Sequence, residues 1–249
     1  MQKRRTMIAF CFTRILFANR KTEIYREAEM VLTRRQKLHS FFNVEEGNKY
    51  WQAKWCVYNQ LLDHGFVRRM YNNFYELDED LFRSAQPNEK TLSKFQKLGG
   101  QTVLSLRGCT TAPYWYQEEK HCRNLGLSLH NIPLAASKAP SVDDLKVLID
   151  FLGNAPKPLL IHCKSGADRT GLAAFIYLTV FKSCRFTVAK RQLSVKYFHN
   201  PFGKAGVLDK FVDRFWRDQR LYGINFEEWL YTRYDREQFE NILEIETKN

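Results

Sequence analysis

The stretch His162-Cys163-Lys164-Ser165-Gly166-Ala167-Asp168-Arg169-Thr170 gathers a thiol, a carboxyl, a guanidinium and a hydroxyl into one short loop. Five residues separate Cys163 from Arg169, enough for one circuit of backbone that leaves the thiol at the base and returns the guanidinium over the rim. In such a loop the amides of residues 164–169 turn inward, as they do in phosphate-binding nests. Lys164, Ser165, Gly166, Ala167, Asp168 and Arg169 are therefore the expected phosphate-binding residues. Gly166 permits a backbone conformation that a side chain resists. A thiol has a pKa of about 8.5, which a helix N-terminus and nearby positive charge lower. Cys163 is thus expected to be a thiolate that attacks phosphorus and carries a covalent phosphoryl group. Arg169 suits two oxygens of a flattened transition state better than the point charge of a lysine would. Thr170 can donate its hydroxyl to the sulfur when the sulfur departs. His162 is expected to orient the loop through its ring nitrogens.

The elements needed to position this loop are legible on either side of it. Pro158-Leu159-Leu160-Ile161-His162 reads as an apolar strand in the middle of a covered sheet. An apolar helix follows at about 171–182, and its positive end faces the loop. Upstream, strands are expected at 80–83, 102–106 and 127–132, with helices at 88–98 and 113–125. A further helix opens at Pro140-Ser141-Val142-Asp143-Asp144, with Ser141 as N-cap and the two aspartates favouring its N-terminus. Downstream, helices are expected at 187–198, 205–218 and 225–242. Strands alternating with helices, then helices alone, predict an α/β three-layer sandwich: a small, mostly parallel central sheet flanked by helices, with an all-helical C-terminal half. The domain expectation is a basic, aromatic, mainly helical appendage over 1–71, a catalytic domain over 72–220 and a helical extension over 221–249.

Composition narrows the function classes. The 249 residues carry a net charge of +12, and residues 1–40 hold ten Lys/Arg against three Glu. That excess favours acidic partners, and an anionic membrane surface could be met by Lys3-Arg4-Arg5, Arg34, Arg35 and Lys37, with Phe10, Phe12 and Phe17 at the interface. The default reading of the same stretch is a basic helix packed on the catalytic domain. No run of 18 apolar residues occurs in the sequence. The six cysteines show no C-x-x-C spacing, so neither a metal site nor a cofactor is expected. Nucleic-acid binding would rest on charge alone. A reactive cysteine without a leader sequence points to the cytoplasm, with peripheral attachment to the inner face of the membrane as a further expectation.

The His162-Cys163-x5-Arg169-Thr170 pattern resembles the signature of the protein tyrosine phosphatase superfamily, and Arg83-Ser84-Ala85-Gln86-Pro87 resembles its compact dual-specificity branch. The resemblance covers about residues 72–218. It implies a phosphomonoester hydrolase, with Cys163, Arg169, Asp168 and Thr170 as catalytic residues. One departure matters. The stretch where the family places an acidic residue, Ile132-Pro133-Leu134-Ala135-Ala136-Ser137-Lys138, holds no carboxylate. Gly166-Ala167-Asp168-Arg169-Thr170 is similar to the loop of myotubularin-type phosphoinositide phosphatases, in which an Asp within the loop is implicated in acid catalysis. Three carboxylates are candidates for the acid, Asp168 within the loop and Asp143 and Asp144 just beyond the expected stretch; Asp168 is the expected one, with a loop-pinning ion pair as its other reading. Lys138 and Lys164 add positive charge near the mouth, while Arg107 is expected to tie loops together. A protective disulfide between Cys109 and Cys163 is a minor expectation. Expected substrates are a phosphorylated protein or a phospholipid or glycolipid phosphate. The rival is a phosphate-binding module without turnover.

Overall fold

The computed structural model describes residues 72–108, 110 and 112–248. The readings made for residues 1–71 and for Cys109 lie outside them.

The core is a sheet of five strands: β1 (Tyr75–Glu76), β2 (Leu81–Ser84), β3 (Thr102–Ser105), β4 (Ser128–Asn131) and β5 (Leu159–His162), in the order β1-β2-β5-β3-β4. Only β1 runs antiparallel to its neighbour. β5 lies at the centre, with Ser84 of β2 and Ser105 of β3 both in register with His162. A strand paired on both sides and covered on both faces must be apolar throughout, and Leu159, Leu160 and Ile161 meet that demand.

Alternation along the strands sorts the core into two layers. Leu81, Leu104, Leu159 and Ile161 face one cluster, and Phe82, Val103 and Leu160 face the other. The smaller layer is supplied by α1 (Glu89–Lys97), through Leu92 and Phe95, and by α2 (Pro113–Leu125), through Cys122. The larger is supplied by α3 (Val142–Asn154), α4 (Asp168–Val180), α5 (Phe186–Ala189), α6 (Val207–Tyr222), α7 (Phe226–Thr232) and α8 (Arg236–Lys248). The expected three-layer α/β arrangement is therefore present, with its helical C-terminal half.

Local sequence explains most helix limits. Asn88 caps α1 by accepting the Thr91 amide at 2.9 Å, and Ser141 caps α3 by accepting the Asp144 amide at 3.1 Å. Gly126 ends α2 in a left-handed conformation. Two expected helices differ. The stretch 187–198 holds only α5, followed by 3₁₀ turns at Lys190–Gln192 and Val195–Tyr197. Here tertiary contacts override propensity: the Gln192 carbonyl accepts from Arg83 Nη1 at 3.1 Å instead of extending a helix. A Cβ on Gly171 of α4 would lie 2.7 Å from that same carbonyl, so the glycine allows the turn to press against the helix. The stretch 225–242 is split into α7 and α8. Tyr234 is drawn inward to donate to the Pro140 carbonyl at 2.8 Å, and Asp235 restarts the helix by accepting the Gln238 amide at 2.7 Å. Phe226, Trp229, Leu230, Tyr234 and Phe239, from the part expected as an extension, lie in the same cluster as the strand residues of the larger layer.

Candidate active site

The cysteine loop leaves the C-terminal end of β5 and enters α4. The helix begins at Asp168, ahead of the expected 171, because the Gly171 amide already bonds back to the Ala167 carbonyl at 2.9 Å. Asp168, Arg169 and Thr170 therefore belong to its first turn. No side chain caps this terminus, and the unbonded amides of a helix's first turn favour an anion.

Cys163 lies at the floor, buried, with its Sγ accepting the Gly166 amide at 3.3 Å. Burial alone would push its thiol up. The charge of Arg169, the hydroxyl and amide of Thr170 and the amide of Gly166 outweigh burial and bring it down to about 7. The thiol and the residues expected to ionise it are thus brought together. Arg169 donates from Nη1 to the Leu106 carbonyl at 3.1 Å, which fixes its guanidinium against the end of β3. Its Nε is buried without a protein acceptor, a donor that a phosphate oxygen would satisfy.

The loop's shape is imposed from beneath. Gly166 has φ +72°, and a Cβ there would lie 2.6 Å from Ala85 N and from Ser84 O, so both conformation and space require glycine. Arg83, wholly buried, donates from Nη2 to the Gly166 carbonyl at 2.6 Å and from Nη1 to Gln192 Oε1 at 2.5 Å. The Tyr197 ring covers its guanidinium at 3.7 Å. Burial lowers its pKa to about 10, so it stays charged at neutral pH. Gln86 N donates to the Lys164 carbonyl at 3.2 Å, and Asn73 Nδ2 donates to the Ser165 carbonyl at 3.1 Å.

His162 does orient the loop, through a partner that sequence reading missed. Its Nε2 lies 2.7 Å from Glu118 Oε1, both side chains being buried, and its Nδ1 lies 3.3 Å from the Cys163 carbonyl. Glu118 Oε2 accepts from Gln86 Nε2 at 2.7 Å, and Gln86 Oε1 accepts from Arg107 Nη1 at 2.8 Å. Arg107 stacks on Tyr114 at 3.3 Å, the loop-tying part expected of it. A signal for Glu118 existed: it shares the buried stripe of α2 with Tyr114 and Cys122, at four-residue spacing, where a lone carboxylate must have a partner.

Asp168 projects from the first turn of α4 toward His199. Its Oδ1 lies 2.7 Å from His199 Nδ1, while His199 Nε2 lies 2.6 Å from Asp209 Oδ2 on α6. Burial opposes the charge on this imidazole, but its hydrogen bonds to Asp168 and Asp209 outweigh burial and raise it to about 9. Neither His199 nor Asp209 was anticipated; both depend on chain segments far from the loop. The stretch 132–138 supplies no acid: it runs alongside β3 through Ile132 N to the Ser105 carbonyl at 3.0 Å, with Ile132 and Leu134 buried and Lys138 exposed. Asp143 and Asp144 sit in the first turn of α3, as expected.

A central parallel strand, a cysteine loop and a helix whose first turn carries the arginine make up the α/β fold of the cysteine-based phosphatases. More narrowly, the chain belongs to the family described as "DSP-PTPase phosphatase fused to NAD+ Kinase", whose model matches residues 67–200. Among curated relatives, the dual specificity protein phosphatase TpbA of Pseudomonas aeruginosa is 32% identical over 135 residues, covering 53% of this chain and 56% of that one. The inositol diphosphatase DSP1 of rice is 30% identical over 139 residues, covering 49% of this chain and 60% of that one. The chain thus spans little more than half the length of these relatives. The crystal structure of P. aeruginosa TpbA superposes with a TM-score of 0.46 at 23% identity, covering 60% of this chain and 91% of that one. Among the described residues no helix is long and apolar enough to cross a membrane.

Proposed function

We propose that this chain is a phosphomonoester hydrolase working through a cysteinyl-phosphate on Cys163. The observation that carries the reading is the convergence on one buried sulfur of the Gly166 amide, the first turn of α4 and the Arg169 guanidinium. In the first step the Cys163 thiolate attacks phosphorus in line and the bond from phosphorus to the leaving oxygen breaks. Arg169 and the loop amides hold the equatorial oxygens as charge spreads over them. The leaving oxygen takes one proton, which the His199 imidazolium passes to it through the Asp168 carboxylate, leaving His199 neutral and Asp168 ionised. In the second step water attacks phosphorus, its proton returns through Asp168 to His199, and the sulfur departs as thiolate beside the Thr170 hydroxyl. Alcohol and inorganic phosphate are the products, and no cofactor enters the balance.

The substrate in this reading is protein phosphotyrosine or a lipid-linked phosphate. The names of the relatives, a dual specificity protein phosphatase and inositol diphosphatases, support a phosphorylated substrate of one of these broad kinds. Cys163→Ser is expected to abolish hydrolysis of an aryl phosphate while phosphate still binds; turnover retained in that variant removes the mechanism. One observation favours a second reading, a phosphate-binding module with weak turnover: the only loop carboxylate is tied to a charged histidine. Rapid quench with a labelled aryl phosphate separates the two, since a burst of phosphoenzyme on Cys163 belongs only to the hydrolase.

A further inference from the structure

Four successive carbonyls of the cysteine loop are gripped by groups that flank it. The Cys163 carbonyl lies 3.3 Å from His162 Nδ1, and the Lys164 carbonyl accepts the Gln86 amide at 3.2 Å. The Ser165 carbonyl accepts from Asn73 Nδ2 at 3.1 Å, and the Gly166 carbonyl from Arg83 Nη2 at 2.6 Å. A planar trans peptide sets its N–H opposite its C=O, so each grip turns the next residue's amide the other way. One of these amides can be followed. The peptide whose carbonyl Asn73 holds sends its N–H, that of Gly166, to the Cys163 sulfur at 3.3 Å. The face of the loop that meets an anion is thus set by what holds its opposite face.

Two of the four grips lead to one carboxylate. Glu118 Oε1 lies 2.7 Å from His162 Nε2, and Glu118 Oε2 accepts from Gln86 Nε2 at 2.7 Å. Among the described residues, neither Glu118 Oε1 nor His162 Nε2 has another partner. Glu118 is buried on α2 with Tyr114 and Cys122, and Cys122 packs in the apolar layer with Leu92 and Phe95. A carboxylate is costly to desolvate in such surroundings, and apolar side chains in place of a buried pair are often as stable or more so. Packing alone therefore gives no reason for an acid at this position. Its contact with two of the groups that grip the loop does.

We propose that Glu118 is a positioning residue for the phosphate: by fixing His162 and Gln86 it keeps the first two peptide groups of the loop turned so that the amides of Lys164 and Ser165 face the bound anion. The proposal rests on reading the loop as a phosphate site, and it holds with or without turnover.

The test measures phosphate affinity in the full chain without a substrate. Its readout is the concentration of inorganic phosphate that halves the rate at which iodoacetamide alkylates Cys163, followed by peptide mass mapping. Charge and geometry predict opposite signs here. Loss of a carboxylate near an anion site tightens phosphate by charge alone, whereas loop peptides left free to turn weaken it. Glu118→Leu is expected to raise the half-protecting concentration about tenfold, a coupling of the size found between contacting residues. Glu118→Gln can meet both His162 and Gln86 with its amide, and should be protected at the wild-type concentration or below. Glu118→Asp keeps the charge but withdraws its oxygens by one methylene, and should fall between the wild type and Glu118→Leu. If Glu118→Leu does not fold, the order of the other two decides. A Glu118→Asp variant protected as well as the wild type, or a Glu118→Gln variant no better protected than Glu118→Asp, overturns the proposal alone. Wild-type Cys163 that phosphate does not protect ends the phosphate-site reading, and the proposal with it.

Discussion

The carboxylate of Asp168 and the imidazole of His199 meet at 2.7 Å, and the far nitrogen of that ring meets Asp209 at 2.6 Å. A proton held between two carboxylates, one of them within the catalytic loop, can serve either to transfer or to pin. The leaving group distinguishes these uses. Asp168→Asn is expected to slow hydrolysis of alkyl phosphates by about 10²-fold or more, and para-nitrophenyl phosphate much less, since that leaving group needs little protonation. His199→Gln should show the same preference in weaker form. Equal losses on both substrates would assign the pair to holding the loop.

The same contact makes stability depend on pH. His199 has a folded pKa of about 9 because Asp168 and Asp209 outweigh its burial, against about 6.5 in an unfolded chain. A group raised in this way stabilises fully below the unfolded value and loses that contribution as pH rises through the folded one. The urea midpoint of the wild type is expected to fall between about pH 6.5 and 9 more steeply than that of His199→Gln. Parallel profiles would remove the imidazolium from the account.

Ionisation of Cys163 can be read without substrate. Alkylation by iodoacetamide should rise with pH about a midpoint near 7. Thr170→Val and Arg169→Met are each expected to move that midpoint upward, since each removes a group that opposes burial. A midpoint in the ordinary thiol range for the wild type would contradict the electrostatics drawn here.

Arg83 makes a stability prediction. Arg83→Met removes the donors to the Gly166 carbonyl and to Gln192 while leaving those acceptors buried. The expected cost is about 2–4 kcal/mol in chemical denaturation, accompanied by loss of turnover because the loop loses its support. Arg83→Lys, which cannot serve both partners in the same planar fork, should fall between. A variant with wild-type stability and rate would show that the loop is held from elsewhere.

How much of this was legible beforehand depended on how local the cause was. The apolar run into Cys163, the Ser141 cap and the helix over 113–125 are written in neighbouring residues, and all three stand as expected. The two-residue β1 carries no pattern to read. The stretch 187–198 has helical texture, but Arg83 claims Gln192 from 109 positions away. His199 has no local mark beyond the Asn200-Pro201 that follows; its partners lie in α4 and α6. Loop chemistry could thus be inferred from the loop, whereas the groups that tune it could be found only once the chain had brought them together.

The helix that begins at Asp168 is buttressed from behind. Phe175 packs edge-on against Phe186, Phe215 and Phe226, and Trp229, the largest fully buried side chain among the described residues, anchors its indole N–H to Asp218 at 2.9 Å. These aromatic contacts draw on residues beyond 200, where the family match stops. The smallest piece able to hold the phosphate cradle rigid is therefore longer than the piece by which the family is recognised. Grafting residues 67–200 alone onto another scaffold would transplant the nucleophile without its foundation.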